Sequence, residues 1–382
     1  MKVIDILHVA SFNGNIGDNA NHKGFYRKIK ETLPDEYIIN IKEFEIREVF
    51  WKNKAFDAKF VEYANEFDLI IFGGGNYFEL WVDSSPTGTS ISIEPSIFMN
   101  ITPPVIFNAL GIDPAQGAST LSIDKFESFL DAIESKGDCI LSCRNDGSIA
   151  ALKEYVDKKY HSRFYHVPDA GFFTTVADIE HIEIVKGKKN IAIQLAGDML
   201  ETRFNIKDGS ISYNYFLKSM ATYIQSLIAD YDANIILIPH IYSDLKIIAD
   251  LLMIISDKER RNSLKVAPYL TGERGQDYIF GIYKECDLTI GMRFHANVCS
   301  IGLKTPTIGL VNYRQIKELY NELSLSQYGV SVNSEFSEEL ILLSKSLLEG
   351  DTESIYDSTL SSLNAQQRPY FESIKNLILR SL

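Results

Sequence analysis

The sequence contains no apolar run approaching the ~20 residues of a membrane span, and its four cysteines include no C-x-x-C pair. The first absence argues against a spanning helix. The second leaves Cys139 and Cys143, at C-x-x-x-C spacing, as a weak metal or redox signal beside the plainer reading of buried, reduced thiols on strands. There is also no block of lysine and arginine to relieve a formal net charge of −13. That charge repels nucleic acid and anionic lipid at long range, so nucleic acid is not an expected partner. The opening MKVIDILHVASFNGN places Asp5 and His8 inside its apolar run, which argues against a secretory signal and for a first buried strand in a cytoplasmic protein. No segment is poor enough in apolar residues to be disordered by composition.

What is present is an alternation. Over 382 residues, enough for two domains, short β-rich apolar runs alternate with amphipathic stretches, the pattern of a parallel sheet wound with helices. In the first half the runs are VIDILHVA (3–10), YIINI (37–41), DLIIFGG (68–74), PVIFNAL (104–110) and DCILSC (138–143). After Pro168-Asp169-Ala170-Gly171 the pattern restarts with NIAIQLA (190–196), NIILIP (234–239), LKVAP (264–268), DLTIG (287–291) and PTIGLV (306–311). The expected fold is α/β, two doubly wound Rossmann-like domains over 1–180 and 181–360 with substrate in the cleft between them. A last helix in 361–382 is expected to pack back on the first domain.

In such sheets ligands sit beyond the carboxyl ends of the strands, so the loops that follow strands carry the candidates. The first loop, Ser11 to Ala20, contains Gly14, Asn15, Gly17, Asp18 and Asn19. Its glycines permit close backbone approach and the following helix offers N–H groups to an anion, while a tight turn capped by Asp18 or Asn19 explains it equally well. The second, Gly73-Gly74-Gly75-Asn76, puts three glycines at a strand end, where either a ligand or close packing demands a bare backbone. Gly111 to Pro114 follows the next strand and reads as an Asp-Pro turn as readily as a site. Arg144, placed by the pattern where a helix begins, is poorly sited for a cation unless an anion lies nearby, or else is simply solvated. His240 ends a strand and reads as a substrate contact or as an interior histidine, with Asp244 beyond it as a helix cap or first-turn acid.

The strongest local signal is Asp287-Leu288-Thr289-Ile290-Gly291-Met292-Arg293-Phe294-His295-Ala296. A buried strand delivers Arg293 and His295 to the start of a helix. A permanently charged fork for phosphate or carboxylate thus stands next to a group that exchanges a proton near neutral pH.

These residues resemble the polysaccharide pyruvyl transferase family. The carriers are GNIGDNA, DLIIFGGGN, IPHIYSD and above all DLTIGMRFHANVCSIGLKTPTIGLVNY, in order across about residues 12–320. The resemblance implies a fold similar to the GT-B glycosyltransferases, with phosphoenolpyruvate as donor and a sugar as acceptor. It also implies a cyclic pyruvate ketal as product, phosphate release, and a place in capsule, exopolysaccharide or cell-wall polymer synthesis. The family's Arg-x-His motif falls on Arg293 and His295. Phe294 replaces the usual leucine, and Ile316 stands where a lysine is expected, with Lys317 one place on.

On that reading His295 is the general acid and Arg293 the anion clamp, helped by Arg144, and Asp18 or His240 takes a proton from the sugar. Gly14, Asn15, Asn19 and Gly73 to Asn76 line the acceptor side. No metal and no cofactor beyond the donor is expected. The acceptor is a nucleotide sugar or a lipid-linked saccharide, and the latter would bring the protein to a membrane surface. A sugar-nucleotide glycosyltransferase on the same architecture and a silent sugar- or phosphate-binding protein are the alternatives.

Overall fold

Runs such as Ile70-Ile71-Phe72 and Ile191-Ala192-Ile193 are apolar toward both faces of a sheet, which a strand tolerates only with helices packed above and below it. The computed structural model, which describes residues 2–204 and 211–381, has this arrangement twice. The chain forms two units: Met1–Phe12 with Phe25–Ala170 and Ser361–Leu382, and Asn13–Gly24 with Gly171–Leu360.

The first unit carries β1 (Lys2–Ala10), β2 (Tyr37–Glu45), β3 (Leu69–Gly73), β4 (Phe78–Glu79), β5 (Val105–Leu110), β6 (Ile112–Asp113), β7 (Cys139–Arg144) and β8 (Phe164–Val167). Six of these form a parallel sheet in the order β2-β1-β3-β5-β7-β8, and β4 pairs with β6. The winding reverses between β1 and β3. Edge strand β8 is missing from the sequence reading because FYHV is short and its Tyr165 and His166 are only half-buried, so no apolar run marks it. Ile112 and Asp113, read as a turn, are strand β6.

The core on one side of this sheet is largely phenylalanine. Phe72 and Phe107 stack at 5.4 Å, and Phe129 meets Phe107 edge-on at 5.8 Å. Such pairs add about 0.5–1.5 kcal/mol to what burial alone contributes. Tyr370, Phe371, Ile374 and Ile378 of the helix Asp357–Ser381 join Phe25, Ile29, Ile71 and Ile106 in the other core cluster, and Tyr370 donates to Asn108 Oδ1 at 2.8 Å.

The second unit repeats the plan with β9 (Asn190–Gln194), β10 (Asn234–Leu237), β11 (Leu264–Val266), β12 (Leu288–Gly291), β13 (Thr307–Val311) and β14 (Gly329–Ser331). Their order is β11-β10-β9-β12-β13-β14, all parallel, and the winding reverses between β9 and β12. The three-residue β14 again carried no run to read.

One assignment differs in kind. Asn13–Gly24, which opens the helix Ile16–Thr32, groups with the second unit although β1 and the rest of that helix belong to the first. Specific bonds explain it: Ile16 N donates to the His240 carbonyl at 3.2 Å, Gly272 N to Asn19 Oδ1 at 2.9 Å, and Lys23 pairs with Asp277 at 2.5 Å. The helix also starts at Ile16, so Asp18 and Asn19 lie in its first turn and do not cap it.

Candidate active site

Strands β9 and β12 pair with Gln194 opposite Gly291, and where neighbouring parallel strands send their connections apart a crevice opens at their carboxyl ends. Gln194 holds that point. Its carbonyl accepts from Met292 N at 3.1 Å and its Oε1 from Arg293 N at 2.7 Å. Arg293 is therefore fixed at the backbone just before the helix Phe294–Gly302 begins.

The Arg293 guanidinium is fixed as firmly by Asp244. Nε donates to Oδ2 at 2.8 Å and Nη2 to Oδ1 at 2.5 Å, a two-pronged pairing. Asp244 is fully buried and also accepts from the backbone N–H groups of Gly197 (2.9 Å), His240 (3.0 Å) and Ile241 (3.1 Å) and from Gln194 Nε2 (3.2 Å). A buried carboxylate is tolerable only when paired and hydrogen-bonded on this scale. Read from sequence as a cap or first-turn acid, Asp244 is the first residue of the helix Asp244–Ile254 and also ties β9, β10 and Arg293 together. Burial works against the charge on Arg293, but the bonds to Asp244 outweigh it and push its pKa up. A second carboxylate, Asp198, accepts from Nη2 at 2.8 Å. Nη1 makes no hydrogen bond to the described residues.

His295 lies one residue into the helix and is almost fully buried. Its Nδ1 is 3.9 Å from Asp18 Oδ1, and that oxygen accepts from Asn15 Nδ2 at 3.1 Å. Gly17 N donates to Asn15 Oδ1 at 3.0 Å, which folds the start of the helix around the carboxylate. Gly14, with φ +91°, makes the turn just before it, and its carbonyl accepts from the Tyr269 hydroxyl at 3.3 Å. The structure thus brings together Gly14, Asn15, Asp18, Asn19, His240, Arg293 and His295 in the second unit. The loop had been placed on the N-terminal, acceptor side; its bonds assign it to the unit that carries Arg293.

His240 is an interior residue. It is fully buried, its Nε2 lies 2.8 Å from the Tyr283 hydroxyl, and its ring meets Phe280 and Tyr283 edge-on. Burial, then the charges of Arg293 and His295, hold its pKa well below the usual histidine value. It is therefore neutral, an electrostatic neighbour of the pair with no exposed surface.

Gly73, Gly74, Gly75, Asn76 and Arg144 are in the first unit. Packing there supplies a sufficient reason for the glycines: a Cβ on Gly73 would lie 2.4 Å from the Asn108 carbonyl oxygen, and one on Gly75 2.5 Å from the Tyr77 ring. Gly73 and Gly74 also have φ of +128° and +78°. Asn76 Nδ2 donates to Asp113 at 3.1 Å. Arg144 ends β7 and does not open a helix, since the next one starts at Ser148 after Gly147 turns with φ +88°. The anions beside it are the protein's own: Nε donates to Asp146 at 2.6 Å and Nη1 is 3.9 Å from Asp169.

Sequence reasoning missed four residues around Arg293, namely Gln194, Asp198, Arg203 and Asp244. Among the described residues no group of three histidine, cysteine or acidic side chains is placed to hold a metal ion, and no helix is long and apolar enough to cross a membrane. None of the four cysteines forms a disulfide.

The family model for polysaccharide pyruvyl transferase matches residues 15–313, from Asn15 through Tyr313, and so contains every site residue named above except Gly14. The chain belongs to the polysaccharide pyruvyl transferase family. No curated protein matched it in sequence. Solved structures resemble it at low identity. A glycosyltransferase from Rickettsia africae superposes with a TM-score of 0.55 at 10% identity over 99% of both chains. The UDP-GlcNAc 2-epimerase of Methanocaldococcus jannaschii gives 0.51 at 10%, covering 92% of this chain and 97% of its own. The E. coli ADP-heptose lps heptosyltransferase II gives 0.50 at 11%, covering 91% and 99%. At such identity the likeness shows the fold alone: this pyruvyl transferase family member has the two Rossmann-like domains of the GT-B architecture.

Proposed function

We propose that the protein transfers pyruvate from phosphoenolpyruvate to two hydroxyls of one sugar, forming a cyclic ketal and releasing phosphate. The observation that carries this reading is the Arg293 and His295 pair at the β9/β12 reversal, inside the segment matched to the family, with Asp18 beside the imidazole.

The chemistry suits those groups. Protonation of C3 of the enol makes C2 an oxocarbenium centre, and the first sugar hydroxyl adds there. The C2–O bond to phosphate then breaks, and the second hydroxyl adds to the regenerated cation. Two hydroxyl protons are released in all: one replaces the proton given to C3, and the other leaves on phosphate. His295 is the donor to C3, with the Asp18 carboxylate 3.9 Å from its Nδ1, and the imidazole left behind accepts the proton of the first hydroxyl. Arg293 offers Nη1 to the donor's phosphate or carboxylate. His240, buried and neutral, is not the base in this scheme.

No metal or further cofactor is assigned a step, since the oxocarbenium character at C2 drives phosphate loss. The acceptor is a nucleotide sugar or a lipid-linked saccharide used in polysaccharide synthesis on the cytoplasmic side, where a lipid-linked acceptor would hold the enzyme at the membrane surface.

The test is phosphate release from phosphoenolpyruvate by the purified protein across a panel of both acceptor types, beside His295→Ala. Acceptor-dependent release that the variant abolishes, with donor binding retained, is the expected result. Transfer from a nucleotide sugar with indifference to phosphoenolpyruvate would replace this reading with that of a glycosyltransferase.

A further inference from the structure

Arg293 is held by two carboxylates that differ in every respect but charge. Asp244 is fully buried and takes six hydrogen bonds. Asp198 is 31% exposed in its side chain and sits on the loop after β9, just before Met199, a non-glycine residue with φ +51°. Among the described residues only Oδ1 of Asp198 is engaged: it accepts from Arg293 Nη2 at 2.8 Å and from Arg203 Nη2 at 3.4 Å. Arg203 donates through Nε to the Asp198 carbonyl at 3.1 Å.

Arg203 is as buried as a core residue, 8% exposed, and is held in place from the far side. Its guanidinium carbon lies 5.4 Å from the centre of the Tyr313 ring and its carbonyl accepts from Asn312 Nδ2 at 2.8 Å, so the end of β13 braces it. Arg203 and Arg293 are close enough for each to disfavour the other's charge, with Asp198 between them. A buried and a partly buried arginine converging on one half-exposed carboxylate have the form of an anion site occupied by a side chain of the protein itself.

We propose that Asp198 is an exchangeable internal anion, and that a phosphate- or carboxylate-bearing ligand binds by displacing it from Arg293 and Arg203. Arg203 is thereby the second anion-binding arginine of the site, the part the sequence had suggested for Arg144. Charge decides the matter. With Asp198 in place, Arg203 and Arg293 face Asp198 and Asp244, and these four side chains are formally neutral together, so they have little to offer a multiply charged ligand. With Asp198 turned out to solvent, one unit of positive charge is uncovered where the ligand lands. Asp244 cannot play this part, because leaving its six donors would strand them in the interior. The resting pair also keeps the arginines charged and oriented while the site is empty, so that little ordering remains when the anion arrives.

The inference rests on the pyruvyl-transfer reading only for the identity of the anion. The test is equilibrium binding of phosphoenolpyruvate and, separately, of orthophosphate to the full chain and to Asp198→Asn, Asp198→Ser and Arg203→Gln, with melting curves as a control of the fold. Removing a charge this close to the ligand is expected to tighten binding by about tenfold in both Asp198 variants, and Arg203→Gln to weaken it by about as much. In turnover KM falls in the Asp198 variants without a matching rise in kcat. Folded Asp198 variants that bind no tighter overturn the exchange while leaving the donor reading intact. Tightening for orthophosphate with no binding of phosphoenolpyruvate overturns the donor reading and keeps the exchange. If neither anion binds any form, or if both Asp198 variants fail to fold, Asp198 is a structural residue and the proposal falls.

Discussion

Gly17 and His295 share a space with no room for another carbon: a Cβ on Gly17 would lie 2.5 Å from both Cβ and Nδ1 of the histidine. The glycine of the GNIGDNA segment is thus explained by the residue it faces from the other end of the sequence. Gly17 packs its bare backbone on the imidazole while Asp18, the next residue, sets the carboxylate beside Nδ1.

Gly17→Ala is expected to displace the His295 ring and cost about 1–3 kcal/mol of stability through overpacking. A shift of about 1 Å in a proton donor is enough for a loss on the order of 10²-fold in rate. The measurement is turnover beside urea unfolding and donor binding. A variant that turns over normally would show that the ring position is not critical.

Asp244→Ala leaves Arg293 buried with half its partners gone and strips an acceptor from three backbone N–H groups. Loss of one partner from such a pair costs about 3–5 kcal/mol. The denaturation midpoint should fall accordingly, and anion binding should be lost with it because Arg293 is no longer aimed. Asp244→Asn, which keeps the shape, should recover stability in part and binding much less.

Two groups with displaced pKa values give opposite pH dependences. Burial raises Glu79 to about 7, with Asp113 adding to the effect and the Ser90 hydroxyl opposing it. Folded Glu79 keeps a proton that the unfolded chain gives up near the ordinary value of 4.5, so its contribution to stability declines between 4.5 and about 7. His240 is depressed instead, so its contribution is full above 6.5 and is lost as pH falls below that value. Glu79→Gln should flatten the stability profile on the rising-pH side of 4.5, and His240→Gln should flatten it on the falling-pH side of 6.5. Both slopes are read from denaturant midpoints across that range, and unchanged slopes in the variants would show that other groups set them.

The sheets were legible because each central strand is a predominantly apolar run, as a doubly buried parallel strand tends to be. Edge strands β8 and β14 escaped because an edge needs neither length nor full burial. Arg293 and His295 were legible because a strand, a glycine and a helix start mark a place as well as a composition. Their supports were not. Asp244 and Asp198 bond to Arg293 across long stretches of chain, and an acid at the start of a helix reads as a cap in any sequence. For Arg144 it was the backbone that the pattern misplaced: it ends β7 and does not open a helix, and Asp146, two residues on, pairs with it.

The most consequential misreading concerned Asn13–Gly24. A strand followed by a glycine-bearing loop and a helix is locally one βα unit, and nothing in that pattern tells the reader that the helix's first turns bond to residues near 240 and 272.

That handover bears on how the protein comes into being on the ribosome. Asp18 is made well before His295, and Ser361–Leu382, whose Tyr370 and Ile374 complete the core around Phe25 and Ile29, emerges after both. Neither unit can close in the order in which its residues are synthesised. The nascent chain must hold its early helix in waiting, and such long-range closure is slow. A polypeptide interrupted anywhere before the helix Asp357–Ser381 therefore lacks a finished first unit, and one interrupted before His295 lacks the ring that Gly17 and Asp18 face.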